Sequence, residues 1–307
     1  MSVTTFIKEP NVKNFFKENF TKPSGKFIDQ VLVPPSTNPQ LVGTSFDYLF
    51  RFYIRHMNKS KISSKIDEKK WLADKGYEII KQNKKIYGEK NVKIGQNILN
   101  NAKKQYLFFC SNGILTDDLI SSTLQLAQLD NVYRSGGRLP TSYDFGDVDR
   151  NDVENLRKLI NLVNIDRFKA KNRIKLNPTF NRSEAIGGAD ADLIIDDMLI
   201  EIKTTQSDTI PTSDFNQVLA YVLLHDLDIK DECKKSKSDK KNQQYRESNL
   251  VNKIGIYYSR RGSLQILNLY EITNKGKFSN GFDLEILDSF EKEILQYQNI
   301  LDLDFGK

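Results

Sequence analysis

Residues 188–205 read GADADLIIDDMLIEIKTT, and the fold turns on how this run is interpreted. Two strand-like segments, ADADLII and MLIEIKTT, flank the pair Asp196-Asp197, a tight turn that predicts a β-hairpin. Strand side chains alternate faces, so Asp190, Asp192 and Ile194 share one face. On the returning strand Leu199, Glu201 and Lys203 share a face, which leaves Ile200 and Ile202 toward the core. Pairing the two strands gathers two or three carboxylates beside one ammonium. A solvated hairpin edge would also carry charge, but the apolar flanks DLII and LIEIK read as central strands.

The same alternation of period organises the rest of the second half. Upstream, DVENLRKLINLVN (152–164) is an amphipathic helix with Val153, Leu156, Leu159, Ile160 and Val163 on one side, followed by a strand in RIKLNPTF (173–180). Downstream, TSDFNQVLAYVLLHDL (212–227) is a helix opened by Thr212 or Ser213 with Asp214 in its first turn. Strands KIGIYYS (253–259) and LQILNLYEI (264–272) follow, joined by an RRG turn. The order helix, three strands, helix, two strands predicts an α/β core over 151–307, a mixed central sheet flanked by helices. KDECKKSKSDKKNQQYRESN (230–249) reads as a lysine-rich solvated loop, with a phosphate-contacting arm as the alternative. DLEILDSFEKEILQYQNILDLD (283–304) predicts a C-terminal helix on the sheet.

Residues 1–150 form a mostly helical N-terminal region. The first 40 residues, broken by KPSG and VPPS, read as an arm or loosely packed lead-in with short helices at most. VGTSFDYLFRFYIRHM (42–57) is a helix capped by Thr44 or Ser45, with Asp47 near its start. Helical patterns continue through 68–88, 93–110 and 116–137, the last capped by Thr116 and stopped by glycine, before a loop at 135–151. These helices would serve as a cap over a substrate channel or as a surface for another subunit.

Composition narrows the function classes. With 46 basic against 40 acidic residues the net charge is +6, compatible with a polyanionic partner without requiring one. Two cysteines, Cys110 and Cys233, exclude a disulfide framework, a zinc ribbon and a four-cysteine iron-sulfur cluster. No GxxxxGK[ST] is present, so no nucleotide cofactor is expected. No run is apolar enough to span a membrane, and charges and a proline interrupt the N-terminus, so a cytoplasmic protein is expected. The abundant Asn, Lys and Ile suit an AT-rich genome. His56 and His225 lack partners at ligand spacing and read as surface or packing residues.

Clustered carboxylates raise one another's pKa unless a cation neutralises them. Oxygen-only donors select Mg²⁺ or Mn²⁺ over zinc, and such a centre beside a lysine suits phosphodiester hydrolysis. Gln217 and Tyr221, four apart on the 212–227 helix, project from one of its faces, suited to holding a phosphate or stacking on a base.

Taken together, Gly188 or Ala189 leading into Asp192, then Glu201-Ile202-Lys203, then Gln217 through Tyr221 resemble the PD-(D/E)XK nuclease superfamily, specifically its RecB-like branch with a Q-x-x-x-Y motif. The resemblance spans about residues 150–272 and implies a restriction-endonuclease-like core. It implies Asp192, Glu201 and the Ile202 carbonyl as metal ligands, Asp192, Glu201 and Lys203 as catalytic residues, and Gln217 and Tyr221 as nucleic-acid-binding residues. Ala191 stands where the family name has proline. Asp190 competes with Asp192, which is preferred because it opens the apolar run. Asp47, following Gly43, occupies the place of the His that branch members carry on an upstream helix, and is a further metal candidate. The expected function is a Mg²⁺- or Mn²⁺-dependent deoxyribonuclease acting on single strands or duplex ends, in a prokaryotic, phage or plasmid-encoded setting, with a helicase or other subunit as a second partner. A sequence-specific restriction endonuclease and a catalytically silent binding module are the alternatives.

Overall fold

The hairpin of residues 188–205 forms, and it sits in the middle of a five-stranded sheet. In the computed structural model, which describes residues 2–27, 29–62, 71–138, 145–235, 238–274, 278 and 281–305, β1 (Ile174–Leu176), β2 (Leu193–Ile195) and β3 (Met198–Lys203) make an antiparallel meander. β4 (Lys253–Tyr258) joins parallel to β3, and β5 (Ser263–Asn268) lies antiparallel at the far edge, giving the spatial order β1-β2-β3-β4-β5. The Asp196-Asp197 turn is fixed by its own side chain. Asp196 adopts a φ of 51°, which Asp tolerates better than most residues, and its carboxylate accepts from the N–H groups of Lys171, Asn172 and Arg173 at 2.8, 2.7 and 3.1 Å.

Eleven helices among the described residues surround the sheet: α1 (Val3–Phe6), α2 (Pro10–Asn19), α3 (Pro39–Met57), α4 (Leu72–Gln82), α5 (Lys84–Asn112), α6 (Asp117–Arg134), α7 (Arg150–Asn161), α8 (Thr212–Lys235), α9 (Asp239–Asn249), α10 (Leu269–Ile272) and α11 (Leu284–Phe305). None is long and apolar enough to cross a membrane. Both faces of the sheet are buried, not only the one carrying Ile200. Ile194, Leu199, Ile254 and Ile256 pack into one core with α8, α11, α1 and α2. Leu193, Ile195, Ile200 and Tyr257 pack into a second with α3, α6 and α7, where Phe50 stacks on Tyr257 at 5.4 Å between ring centroids. A mixed sheet between two helical layers is the coarse architecture, with β3 and β4 at its centre.

Several elements differ from the sequence expectation. The first 20 residues are not a loose arm: Phe6, Phe15, Phe16 and Phe20 are buried against Phe282, Phe290 and Tyr297. Helix α3 begins at Pro39 behind Asn38, so Thr44 and Ser45 are interior, and the Ser45 hydroxyl donates back to the Leu41 carbonyl at 2.7 Å. Residues 230–235 and 239–249 are helical rather than a loop, because α8 runs on to Lys235 and Ser238 caps α9; residues 236 and 237 lie outside the described residues. The first strand stops at Leu176, since Asn177 turns to a φ of 47° and Pro178 lacks an N–H. The last strand stops at Asn268, where LYEI coils into α10. Thr116 caps α6 as expected, accepting from Leu119 N at 3.1 Å, and the C-terminal helix forms.

Two features give measurable consequences. Gly76 brings α4 onto α6 so closely that a Cβ there would lie 1.8 Å from the Leu129 carbonyl oxygen. Gly76→Ala should therefore push the two helices apart and cost about 1–3 kcal/mol, read as a fall in Tm by thermal denaturation. Asp226 on α8 is buried; its Oδ2 accepts from Phe282 N at 3.1 Å and its Oδ1 has no partner. Burial raises its pKa from 3.8 to about 7, against the opposing pull of the Phe282 N–H and Arg246. The folded state thus holds this proton more tightly than the unfolded chain, and the associated stability is present below the unfolded pKa and lost as pH rises through about 7. Asp226→Asn should raise Tm by several degrees near about pH 8, with the advantage over wild type vanishing towards about pH 4.

Candidate functional site

The charged residues of the central hairpin meet at the end of the sheet where β3 and β4 finish and β2 begins, the edge from which α8 departs. Carboxyl ends of parallel strands are where open α/β sheets hold ligands. Glu201, 6% exposed, faces Asp192 across the hairpin, and Asp192 stands just ahead of β2 with its Oδ2 accepting from the Ile202 amide at 2.7 Å. Asp190 is exposed, its backbone bridges to Thr179, and its charge acts on Tyr221. The amide that Asp192 accepts from belongs to the residue between Glu201 and Lys203.

Asp47 arrives from a distant part of the chain. It lies in mid-helix on α3, which crosses the sheet so closely that a Cβ on Gly43 would touch Thr204 at 3.6 Å. The charges of Asp47 and Asp192 act on each other, and that of Asp47 acts on Glu201. Burial raises Asp47 and Asp192 to about 7 each; Arg51 opposes both shifts, while Asp192 reinforces the first and Glu201 the second. Burial also raises Glu201, which Lys203 partly offsets. For Lys203, burial disfavours the ammonium, but Glu201 and Asp214 outweigh it and leave its pKa raised.

Each of these carboxylates has one oxygen anchored. Arg51 holds Asp47 Oδ2 at 2.7 Å, Lys203 Nζ holds Glu201 Oε1 at 3.0 Å, and the Ile202 amide holds Asp192 Oδ2. The opposite oxygens of two of them, Asp47 Oδ1 and Glu201 Oε2, are buried without a partner. Buried polar atoms are seldom left so. No group of three His, Cys, Asp or Glu among the described residues already stands at a geometry that would grip an ion. The donor set nonetheless fits a hard divalent cation: carboxylate oxygens only, with raised pKa values, two of them lacking a partner.

Gln217 and Tyr221 point inward. They are 8% and 3% exposed, and Lys203 Nζ donates to Gln217 Oε1 at 2.8 Å while Gln217 Nε2 donates to the Tyr221 hydroxyl at 2.8 Å. An ammonium has only donors, so the carboxamide must turn its oxygen to Lys203 and its NH₂ to Tyr221. Tyr221 also stacks on Phe180 at 5.9 Å. The pair therefore packs behind the lysine rather than presenting itself to a nucleic acid.

Three residues of this neighbourhood are not among the site residues expected from the sequence. Asp214, in the first turn of α8, is half-buried and acts on the charge of Lys203. Arg51 donates to Asp47 and to the Asn177 side chain. Asn177 in turn donates its backbone N–H to the Asp192 carbonyl at 2.9 Å. The available signal was the spacing of Asp47 and Arg51, four apart on a helix otherwise rich in aromatic residues. The histidines stand apart: His225 is buried against the Asn249 carbonyl, with burial lowering its pKa to about 4, and His56 bonds the Cys110 carbonyl. No family model, curated protein or solved structure matches this chain.

At about pH 8 the Asp192 carboxylate is ionised in a site that disfavours its charge, while an asparagine could still accept from Ile202 N. In chelator, Asp192→Asn should raise Tm by a few degrees over wild type. Millimolar Mn²⁺ should raise the Tm of wild type and leave the variant unmoved, as differential scanning fluorimetry would record.

Proposed function

We propose that this chain is a divalent-metal-dependent nuclease that hydrolyses phosphodiester bonds in DNA. The observation that carries the reading is the convergence of Asp47, Asp192 and Glu201 from separate elements, one oxygen of each anchored, beside the buried ammonium of Lys203. A helix, an antiparallel meander, a crossover helix and a parallel strand support a restriction-endonuclease-like core, with α3 adding a residue to the site. Asp47, Asp192 and Glu201 would hold Mg²⁺ or Mn²⁺, with the Ile202 carbonyl as the further ligand that the motif implies.

When bound, such an ion supplies the positive charge that lets a phosphodiester accept a nucleophile. The protein's own groups do the rest. Lys203 places an ammonium where negative charge grows on the phosphate, and its proton stays on because Glu201 and Asp214 favour the charged form. Gln217, braced by Tyr221, holds that ammonium in place, so motif residues expected to bind the nucleic acid act on the lysine instead. By the branch that the Q-x-x-x-Y motif resembles, action on single strands or duplex ends is the reading we favour, inside the cell and alongside a helicase or other subunit.

The test is cleavage of linear single-stranded and duplex DNA with Mn²⁺. Lys203→Ala should lower kcat about 100- to 1,000-fold with the metal-induced Tm shift retained. Equal cleavage by wild type and Lys203→Ala would overturn the assignment.

A further inference from the structure

Arg51 is a cation at the site that the proposed chemistry does not use. Its side chain is 15% exposed, and its guanidinium bridges two structural layers, holding Asp47 on α3 and the side chain of Asn177 at the end of β1. Asn177 occupies a left-handed conformation, with a φ of 47°, and from there its N–H reaches the Asp192 carbonyl. One side chain thereby connects the helix that carries Asp47 to the segment that carries Asp192. The guanidinium also lies 5.2 Å from the centre of the Tyr48 ring. Tyr48 is held in turn: its hydroxyl donates to buried Asp130 at 2.9 Å and accepts from the Ala73 amide at 3.2 Å. Arg51 thus rests on a platform made by α3, α4 and α6.

Two roles are open to such a cation, and they differ in sign. A simple counter-ion would lower the negative charge of the cluster and repel an incoming metal, so its removal would tighten metal binding. A positioning group would hold Asp47 with Oδ1 turned toward Asp192 and Glu201, so its removal would loosen binding although a positive charge has gone. The geometry points to the second. Arg51 bonds Asp47 Oδ2, Oδ1 is left buried without a partner, and the planar fork that spans Asp47 and Asn177 is one that a lysine cannot reproduce.

We infer that Arg51 is a positioning residue which, through Asp47 and Asn177, sets the spacing of the Asp47 and Asp192 carboxylates for a divalent cation; this rests on the metal-dependent reading above. Arg51 itself touches neither the ion nor the phosphate.

The experiment is calorimetric titration of the full chain with Mn²⁺ alone, without DNA, for wild type, Arg51→Met, Arg51→Lys, Asp47→Asn and the Arg51→Met/Asp47→Asn double variant. Circular dichroism on each reports folding. Arg51→Met and Arg51→Lys should each weaken Mn²⁺ binding by about tenfold or more, and the double variant should bind no more weakly than Asp47→Asn alone. Tighter or unchanged binding by Arg51→Met would overturn the inference while leaving the metal reading intact. Wild-type affinity in Arg51→Lys would do the same, since charge alone would then suffice. Absence of Mn²⁺ binding by wild type would overturn the metal reading itself and the role of Arg51 with it. Arg51→Lys, which keeps the charge, decides the matter even where the methionine variant does not fold.

Discussion

Three carboxylates brought together with little access to water, opposed by the charges of Arg51, Arg134 and Lys203, are the constraint on which the rest of the structure depends. Asp47, Asp192 and Glu201 disfavour one another's charge, and burial raises all three. Such a cluster survives only if each member is held by something rigid. The hairpin supplies the Ile202 amide to Asp192, β3 supplies Lys203 to Glu201, and α3 supplies Arg51 to Asp47. Two packed cores are what make those supports rigid. The core beneath α8 fixes Gln217 behind Lys203, while the core beneath α3 fixes Phe46 and Phe50 on Tyr257 and so sets where Asp47 falls. The large buried area on both sheet faces offsets the cost of a destabilising site between them.

How much of this was legible in the sequence follows from the range of each interaction. The hairpin was readable because its parity, its turn and its charges all lie within eighteen residues, Gly188 to Thr205. Gln217 and Tyr221 were readable as a pair on one helical face, but not in their direction. Periodicity says that two side chains share a face and is silent on what that face meets. Only the Lys203 ammonium, lying against the face, shows that they brace the lysine.

The missing parts are those decided by packing between segments far apart in the chain. Nothing local to residues 1–20 announces that their phenylalanines will meet Phe282 and Phe290, and KPSG and VPPS nearby suggest a loose chain. In residues 230–249 high lysine content outweighed helical propensity, though lysine is a good helix former. Ion pairs of Lys234 with Asp231 and Lys235 with Glu232 lie along the last turns of α8, which ends at Lys235. Asp47 stood out only by its place after Gly43. Its partner Arg51 did not, because an Asp and an Arg four apart usually mean no more than an exposed helical pair.

That last case shows how burial changes what a familiar motif means. On a solvated helix the Asp47–Arg51 pair would contribute little, since water and salt would screen it. Here the aspartate is 21% exposed and the arginine 15%, with an aromatic ring beneath the guanidinium and a backbone in left-handed conformation beside it. Both ends are fixed by contacts that the ion pair did not create. An interaction that elsewhere averages over many rotamers is reduced to one geometry, and a single geometry is what a ligand needs if its other oxygen is to face a cation. The asymmetry between the two oxygens of Asp47, one bonded and one not, follows from that fixation, and it recurs at Glu201 under the hand of Lys203. Two unrelated cations, an arginine on a helix and a lysine on a strand, thus arrive at the same solution: hold one oxygen of the carboxylate and leave the other buried without a partner.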